Sequence, residues 1–160
     1  MKRVLLVSGS IAAAAWLFTV SSSVAHAQTV PTQLDAAGLK SMLSGLGYEV
    51  SELSTEIGKE KFGLKITSGG FDIPIGAEIA PSKNYIWLTA SLGKSSSTRK
   101  FEELLKANSK IQPTMFYISS SDNLMIGLPC ENRDMTPVHL KKQVDRLAGQ
   151  VVSQAPVWQN

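Results

Sequence analysis

Alternating apolar and polar residues on either side of one glycine-containing turn are the feature that most limits the folds open to this chain. Residues 62–67 and 71–79 alternate in this way, and Ser68-Gly69-Gly70 separates them. A period of two places every second side chain on the same face of a strand. The segment therefore predicts a β-hairpin. Pro74 lacks a backbone donor, so its strand is expected at a sheet edge or with a bulge.

The same periodicities predict the remaining elements. Apolar residues at helical spacing predict three helices, at 39–46, 101–108 and 137–151. Alternation predicts three further strands, at 84–92, 114–119 and 123–130. The order α-β-β-β-α-β-β-α predicts an α+β domain, in which an antiparallel sheet of about five strands carries the helices mainly on one face.

Local signals predict where the first and last helices begin and end. Thr32 lies three residues before Asp35, a spacing typical of a capping box, and Gly47 follows the last apolar position of the first helix. Thr136 followed by Pro137 predicts the start of the last helix. These signals support three separate helices joined to the strands by short connections.

Residues 1–27 have the pattern of a signal peptide. Lys2 and Arg3 precede an apolar, alanine-rich run from Val4 to Val20, and Ala25-His26-Ala27 is the small-x-small pattern that signal peptidase accepts. We expect cleavage after Ala27 and a periplasmic or secreted mature protein that begins at Gln28. No later segment is long and apolar enough to span a bilayer, so no stable membrane anchor is expected after cleavage.

Size and charge limit the remaining possibilities. Removal of 27 of the 160 residues leaves 28–160, which is enough for one hydrophobic core and predicts a single domain. Two of the 16 basic side chains would leave with the signal peptide, so 14 would face 13 acidic ones, a formal charge of +1. The basic residues are scattered without interleaved aromatics, which argues against a nucleic-acid partner.

Cys130 and His139 are the strongest catalytic candidates, and the pattern argues against both. Cys130 is in phase with the apolar residues of its strand, which predicts a buried thiol. His139 falls in the first turn of a helix, where the helix dipole disfavours imidazolium. Ser119–Ser121 with Asp122 lack the Gly-x-Ser-x-Gly pattern of a nucleophile elbow. We therefore predict no catalytic, metal or cofactor residues, and a Cys/His hydrolase is only a remote alternative.

Several short sequence segments resemble those of a known family. They are LSGLGYEV after the first helix, FEELLKANSKI in the second, the strands FYIS and LMIGLP, and the closing TPVHLKKQVDRLAGQV helix. Over roughly Leu34–Ala155 the chain resembles the YbjN-type domain family, whose members are often described as bacterial sensory transduction regulators. The resemblance implies the fold of type III secretion chaperones. It implies no catalytic residues, because the family has none that are agreed.

The sheet face opposite the helices is the most informative surface for function. Large side chains out of phase with the core are predicted there: Tyr85, Trp87, Met115, Tyr117 and Met125. Aromatic and methionine side chains on a sheet face that normally carries polar groups are typical of a protein interface or a ligand groove. Two alternatives are scattered cross-strand pairs and coverage by the C-terminal tail with Val157 and Trp158.

Together these features favour an exported, non-catalytic protein-binding or chaperone-like module. Its partner would be another protein or a second copy of the same chain. A small-ligand sensor or carrier, with a pocket between helices and sheet, is the alternative. The inward residues are uniformly bulky and apolar, which favours the binding module.

Overall fold

A computed structural model describes residues 32–96 and 98–159, and the predicted signal peptide lies outside them. Within these residues the chain forms four helices and one antiparallel sheet of six strands. The helices are α1 (Ala36–Gly45), α2 (Phe101–Asn108), α3 (Pro137–Ser153) and α4 (Ala155–Trp158). The strands are β1 (Ser51–Ser54), β2 (Lys61–Ser68), β3 (Phe71–Ile79), β4 (Tyr85–Lys94), β5 (Met115–Ile118) and β6 (Asn123–Glu131).

The strand order is β1-β2-β3-β4-β6-β5, so β6 lies inside the sheet and β5 forms its edge. The predicted α+β fold is confirmed, with one strand more than the five expected and a short fourth helix, α4, after the three predicted. The additional strand, β1, has the sequence SELS, which lacks a run of alternating apolar residues. It pairs with β2 through a shift in register between Glu52 and Ser54, and all but one of its residues are exposed. A short edge strand of this kind leaves little trace in a hydrophobic pattern.

The strand that contains Pro74, β3, lies inside the sheet and pairs regularly, so the prediction of an edge or bulge in β3 is wrong. This strand pairs with β2 on one side and β4 on the other, in continuous register. Pro74 lies opposite Lys65, one residue before the first β3–β4 pair, Ile75 with Ala90. Because pairing with β4 has not yet begun, a missing backbone donor costs no ladder bond there.

One hydrophobic core holds the helices against one face of the sheet. The buried helical residues Leu39 and Leu43 of α1 and Leu140, Val144 and Leu147 of α3 are among its members. Their partners are the inward-facing side chains of the strands, at every second position as the alternation predicted. The helical layer therefore covers one face of the sheet, which we call the helix face.

Helix ends follow the sequence signals with one exception. Asp35 caps α1 with its own side chain, which accepts a backbone hydrogen bond from the first turn. Thr32 takes no part in that cap; its N–H donates to the Asp134 carboxylate at 2.9 Å, so the predicted capping box is wrong. Gly47 follows α1 with a φ of +86°, and Thr136 caps α3.

The C-terminal tail folds back onto the helix face. The Trp158 ring lies 5.7 Å from that of Phe71, and its indole N–H donates to the carbonyl of Val151 at 2.7 Å. The Arg99 guanidinium donates to the Trp158 carbonyl and holds the tail against the end of β4. Val157 and Trp158 both pack against the core. The tail therefore does not cover the opposite face, which we call the helix-free face.

Candidate functional site

A row of residues that are small except at the β5 edge crosses the helix-free face from one edge of the sheet to the other. Strand register places one residue of each strand in this row: Ser51, Gly63, Gly76, Thr89, Gly127 and Met115. We call it the glycine row. None of its three glycines has a positive φ, so backbone conformation does not require glycine at these positions. What the glycines provide is space above the sheet.

Two aromatic rings use the space above Gly127. A Cβ placed on this residue would lie 3.0 Å from Cε1 of Tyr117 and 3.3 Å from Cζ3 of Trp87. Both distances are shorter than an ordinary carbon–carbon contact of about 3.5–4.0 Å. Trp87 and Tyr117 are accordingly only partly exposed. The absence of a side chain at Gly127 therefore lets both rings lie close to the sheet.

The other two glycines accommodate flexible side chains. A Cβ on Gly76 would lie 2.8 Å from Cε of Lys61, which crosses this residue to pair with Glu78 at 3.3 Å. A Cβ on Gly63 would lie 2.7 Å from Oγ of Ser51 and 3.0 Å from Leu53, both on the edge strand. Neighbouring side chains of the same face thus occupy the space above these two glycines.

Two open hollows lie on this face and meet at Thr89. The larger, about 620 Å³, lies over the β1 to β4 part of the glycine row, and we call it the row hollow. The smaller, about 480 Å³, is bordered by Trp87 and Tyr117 and by the β1–β2 and β3–β4 loops; we call it the ring hollow. The Lys61–Glu78 ion pair stands between them. Within the described chain no helical or C-terminal residue lines either hollow.

All five predicted surface residues lie on the helix-free face. Trp87 and Tyr117 border the ring hollow, and Met125 borders the row hollow. Tyr85 and Met115 line neither hollow and are 45% and 37% exposed. The structure thus brings three of the five into two adjoining hollows and leaves the other two as exposed apolar residues beside them.

Charges around the hollows are largely paired within the sheet. Lys65 donates to the Asp72 carboxylate at 2.6 Å, and Thr67 donates to its other oxygen at 2.8 Å. The hydrogen bond from Lys65, and then that from Thr67, lowers the pKa of Asp72 below its usual value. Burial, followed by the charge of Glu78, raises the pKa of Tyr117, so its phenol stays neutral at physiological pH.

Cys130 and His139 occupy different environments. Cys130 is 5% exposed on the helix face, and its thiol lies 3.8 Å from the carbonyl of Leu128. Burial raises the pKa of this thiol from 9.0 to about 12, so it is protonated at neutral pH and a poor nucleophile. His139 is exposed, with Nε2 2.9 Å from the amide nitrogen of Gln143. This arrangement offers no activated thiolate–imidazole pair.

The outer edge of β5 is partly closed by a side-chain amide. Asn108 of α2 accepts the N–H of Phe116 at 2.7 Å and donates to the carbonyl of the same residue at 3.2 Å. The N–H of Thr114 donates to the carbonyl of Ile111 at 3.1 Å. These contacts occupy the outward N–H and C=O of Phe116 and the N–H of Thr114, which an added strand would need for pairing.

Sequence reasoning missed the glycine row and Thr89, although a weak signal was present. Gly63, Gly76 and Gly127 each occur at a strand position out of phase with the core. A single glycine in a strand does not indicate a particular surface, because glycine occurs in strands for several reasons, such as bulges, bends and close approach of another group. Only the register shows that the three lie side by side.

The fold and site define a two-layer α+β domain with one uncovered sheet face that carries two hollows. The chain matches no protein-family model, no curated protein and no solved structure. In the described part of the chain, no helix has the length and apolar character needed to cross a membrane. Among the same residues, no three side chains of His, Cys, Asp or Glu are grouped as metal ligands would be.

Proposed function

We propose that this protein is an exported, non-catalytic binding module that holds another exported protein on its helix-free face. One observation carries the proposal: aromatic and methionine side chains surround two adjoining hollows on a sheet face that neither helices nor tail cover. Monomeric proteins rarely leave such an apolar surface open unless it binds something. Methionine and tyrosine also suit binding surfaces, because they adapt in shape or tolerate partial exposure.

Export and the resemblance to YbjN-type domains are part of the same proposal. Residues 1–27 supply the export signal, and an α+β order of helices and strands broadly like that implied by the resemblance supports the chaperone-like role. A chaperone-like role agrees with a binding surface that lacks an activated nucleophile. The protonated Cys130 thiol supports the non-catalytic part of the proposal.

A small-ligand carrier is the second candidate, and the row hollow is the observation that favours it. Its volume of about 620 Å³ falls in the range of about 300–1,000 Å³ that is usual for ligand pockets. The hollow is open along one side, however, and lies on the helix-free face, whereas the sequence suggested a pocket between helices and sheet. Such openness favours a macromolecular partner, since pockets bury most of a small ligand.

A binding comparison with matched surface variants tests the proposal. The mature protein, residues 28–160, would serve as bait for exported proteins beside Met115→Ser and Val138→Ser. Met115 borders the binding face, whereas Val138 is 80% exposed at the start of α3. We expect Met115→Ser to reduce capture of the retained protein and Val138→Ser to leave it unchanged. Equal capture by all three baits would contradict the proposal.

A further inference from the structure

We propose that the ring hollow binds an organic cation that carries N–H groups, namely the ammonium of a lysine or the guanidinium of an arginine of the partner protein. The inference rests on the proposed function, because it names the chemical group of the partner that this part of the helix-free face recognises. Three features of the hollow support it: the orientation of an ion pair, two aromatic rings, and a buried hydroxyl without a partner.

The Lys61–Glu78 ion pair turns its negative end towards the ring hollow. Glu78 lines this hollow and Lys61 does not, whereas the row hollow is lined by Lys61 and not by Glu78. Lys61 contacts one carboxylate oxygen, Oε1, at 3.3 Å, which is longer than the about 2.7–2.9 Å of a charge-assisted hydrogen bond. In the part of the chain that the structure describes, Oε2 accepts no hydrogen bond. The carboxylate therefore keeps the capacity to bind a second cation.

The negative charge of Glu78 extends across the ring hollow. After burial, this charge is the cause that raises the pKa of the Tyr117 phenol, and no lysine of the described chain opposes it there. Lys59 also lines the hollow, but its ammonium pairs with the Glu56 carboxylate at 2.6 Å. A cation placed beside the Tyr117 ring would therefore be attracted by Glu78.

Two aromatic rings border the same hollow. Trp87 lies directly opposite Glu78 in the β3–β4 ladder, where the Cβ atoms of paired residues are about 4.5–5.5 Å apart. Tyr117 reaches in from β5 over Gly127. The faces of tryptophan and tyrosine attract cations within about 6 Å of the ring centroid, and tryptophan does so most strongly. A carboxylate beside two such rings favours a cation over a neutral or an anionic group.

The bottom of the ring hollow contains a buried hydroxyl without a partner. Thr89 is 4% exposed and lines this hollow. Its Oγ1 lies over Gly76, 3.0 Å from the position that a Cβ would take there, and the described chain offers it no hydrogen bond. Buried polar groups in folded proteins nearly always have a partner. An N–H donor bound in the hollow would supply the one that this oxygen lacks.

The two acceptors select the kind of cation. Glu78 Oε2 and Thr89 Oγ1 both lack a donor, and a quaternary ammonium group has no N–H to give them. The ammonium of lysine carries three donors and the guanidinium of arginine carries five. Because the hollow is open along one side, such a side chain can enter it while the chain that carries it stays outside. The cation is therefore assigned to a lysine or arginine side chain.

Short blocked peptides that differ in one charge test the inference. A tripeptide with arginine between two glycines would be titrated into residues 28–160, beside a lysine peptide and a citrulline peptide that has nearly the shape of arginine and no charge. The indole N–H signal of Trp87 in NMR spectra reports binding, and that of Trp158, which packs against Phe71, is the internal reference. We expect the citrulline peptide to bind at least about fivefold more weakly than the arginine peptide.

Matched variants locate the binding. Glu78→Gln and Glu102→Gln make the same chemical change in a lysine–glutamate pair, but Glu102 lies on α2 and pairs with Lys106. We expect Glu78→Gln to weaken the arginine peptide at least about tenfold and Glu102→Gln to have no effect. Tyr117→Leu removes a ring that Tyr117→Phe keeps, so it should bind about fivefold more weakly than Tyr117→Phe. Melting curves establish that each variant folds.

Three results would overturn the inference. They are equal binding of the arginine and citrulline peptides, a Glu78→Gln protein that binds like Glu102→Gln, and a Trp87 signal that no peptide shifts. Tighter binding of agmatine, a small free amine with the same guanidinium, would overturn the assignment to a partner's side chain. The capture comparison with Met115→Ser tests the proposed function separately. Capture that depends on Met115 without peptide binding would leave the binding face standing and remove the cation site.

Discussion

Replacing two glycines of the same row with alanine should change stability in opposite directions. Glycine in a strand costs about 0.5–1 kcal/mol relative to alanine, so each substitution starts with a gain of that size. At Gly127 the new Cβ would lie 3.0 Å from Tyr117 and 3.3 Å from Trp87. Both partly buried rings would have to shift, and overpacking costs about 1–3 kcal/mol. We expect Gly127→Ala to lower the free energy of unfolding by about 1 kcal/mol.

At Gly76 a new Cβ would lie 2.8 Å from Cε of Lys61, whose flexible end must move, and 3.0 Å from Oγ1 of Thr89, which must give by a few tenths of an ångström. The Lys61–Glu78 ion pair is partly exposed and worth about 0–1 kcal/mol, so displacing it costs little. We expect Gly76→Ala to raise the free energy of unfolding by about 0.5 kcal/mol. Urea unfolding followed by far-UV circular dichroism measures both changes without depending on the emission of Trp87. A Gly127→Ala protein as stable as wild type, or a shift of both variants in the same direction, would refute the reasoning.

Three further predictions concern the core, the N-terminal connection and processing. Because burial raises the pKa of the Cys130 thiol to about 12, its contribution to stability is complete below about pH 9 and is lost as the pH rises towards 12. Cys130→Ala should remove this part of the pH dependence in unfolding curves, and a curve unchanged above pH 9 would contradict it. Asn132 is fully buried and bonds the backbone of Leu34 and Lys83, so Asn132→Ala should cost about 3 kcal/mol in thermal unfolding; a loss below about 1 kcal/mol would count against this. Intact-mass analysis of exported protein should give a chain that starts at Gln28, and retention of residues 1–27 would disprove the predicted cleavage.

Most of the fold was predictable because its core is periodic. Alternation in β2, β3, β4 and β6 determined both the strands and the side chains that face the helices. Such patterns report the burial of one face and nothing more. The edge strand β1 was missed because it buries no apolar side chain fully. The position of the Pro74 strand was mispredicted because the sequence does not show where pairing between β3 and β4 begins.

The candidate site was predictable only in part. Strand phase places Trp87 and Tyr117 on the helix-free face, but the sequence does not show which strands are neighbours. Gly127 lies under both rings because β6 inserts between β4 and β5, which no local pattern indicates. Trp158 packs against Phe71, which is far from it in the chain. The sequence alone therefore does not show which face of the sheet the C-terminal tail covers.

The amide of Asn108 limits how this protein can aggregate. Chains that associate through strand edges form continuous sheets, and these can grow into cross-β fibrils because each added strand exposes a new edge. At β5 the outward N–H and C=O of Phe116 already bond to a side chain of the same molecule. An incoming strand would have to displace that amide before it could pair with Phe116. The β5 edge is therefore protected against the strand addition by which fibrils grow.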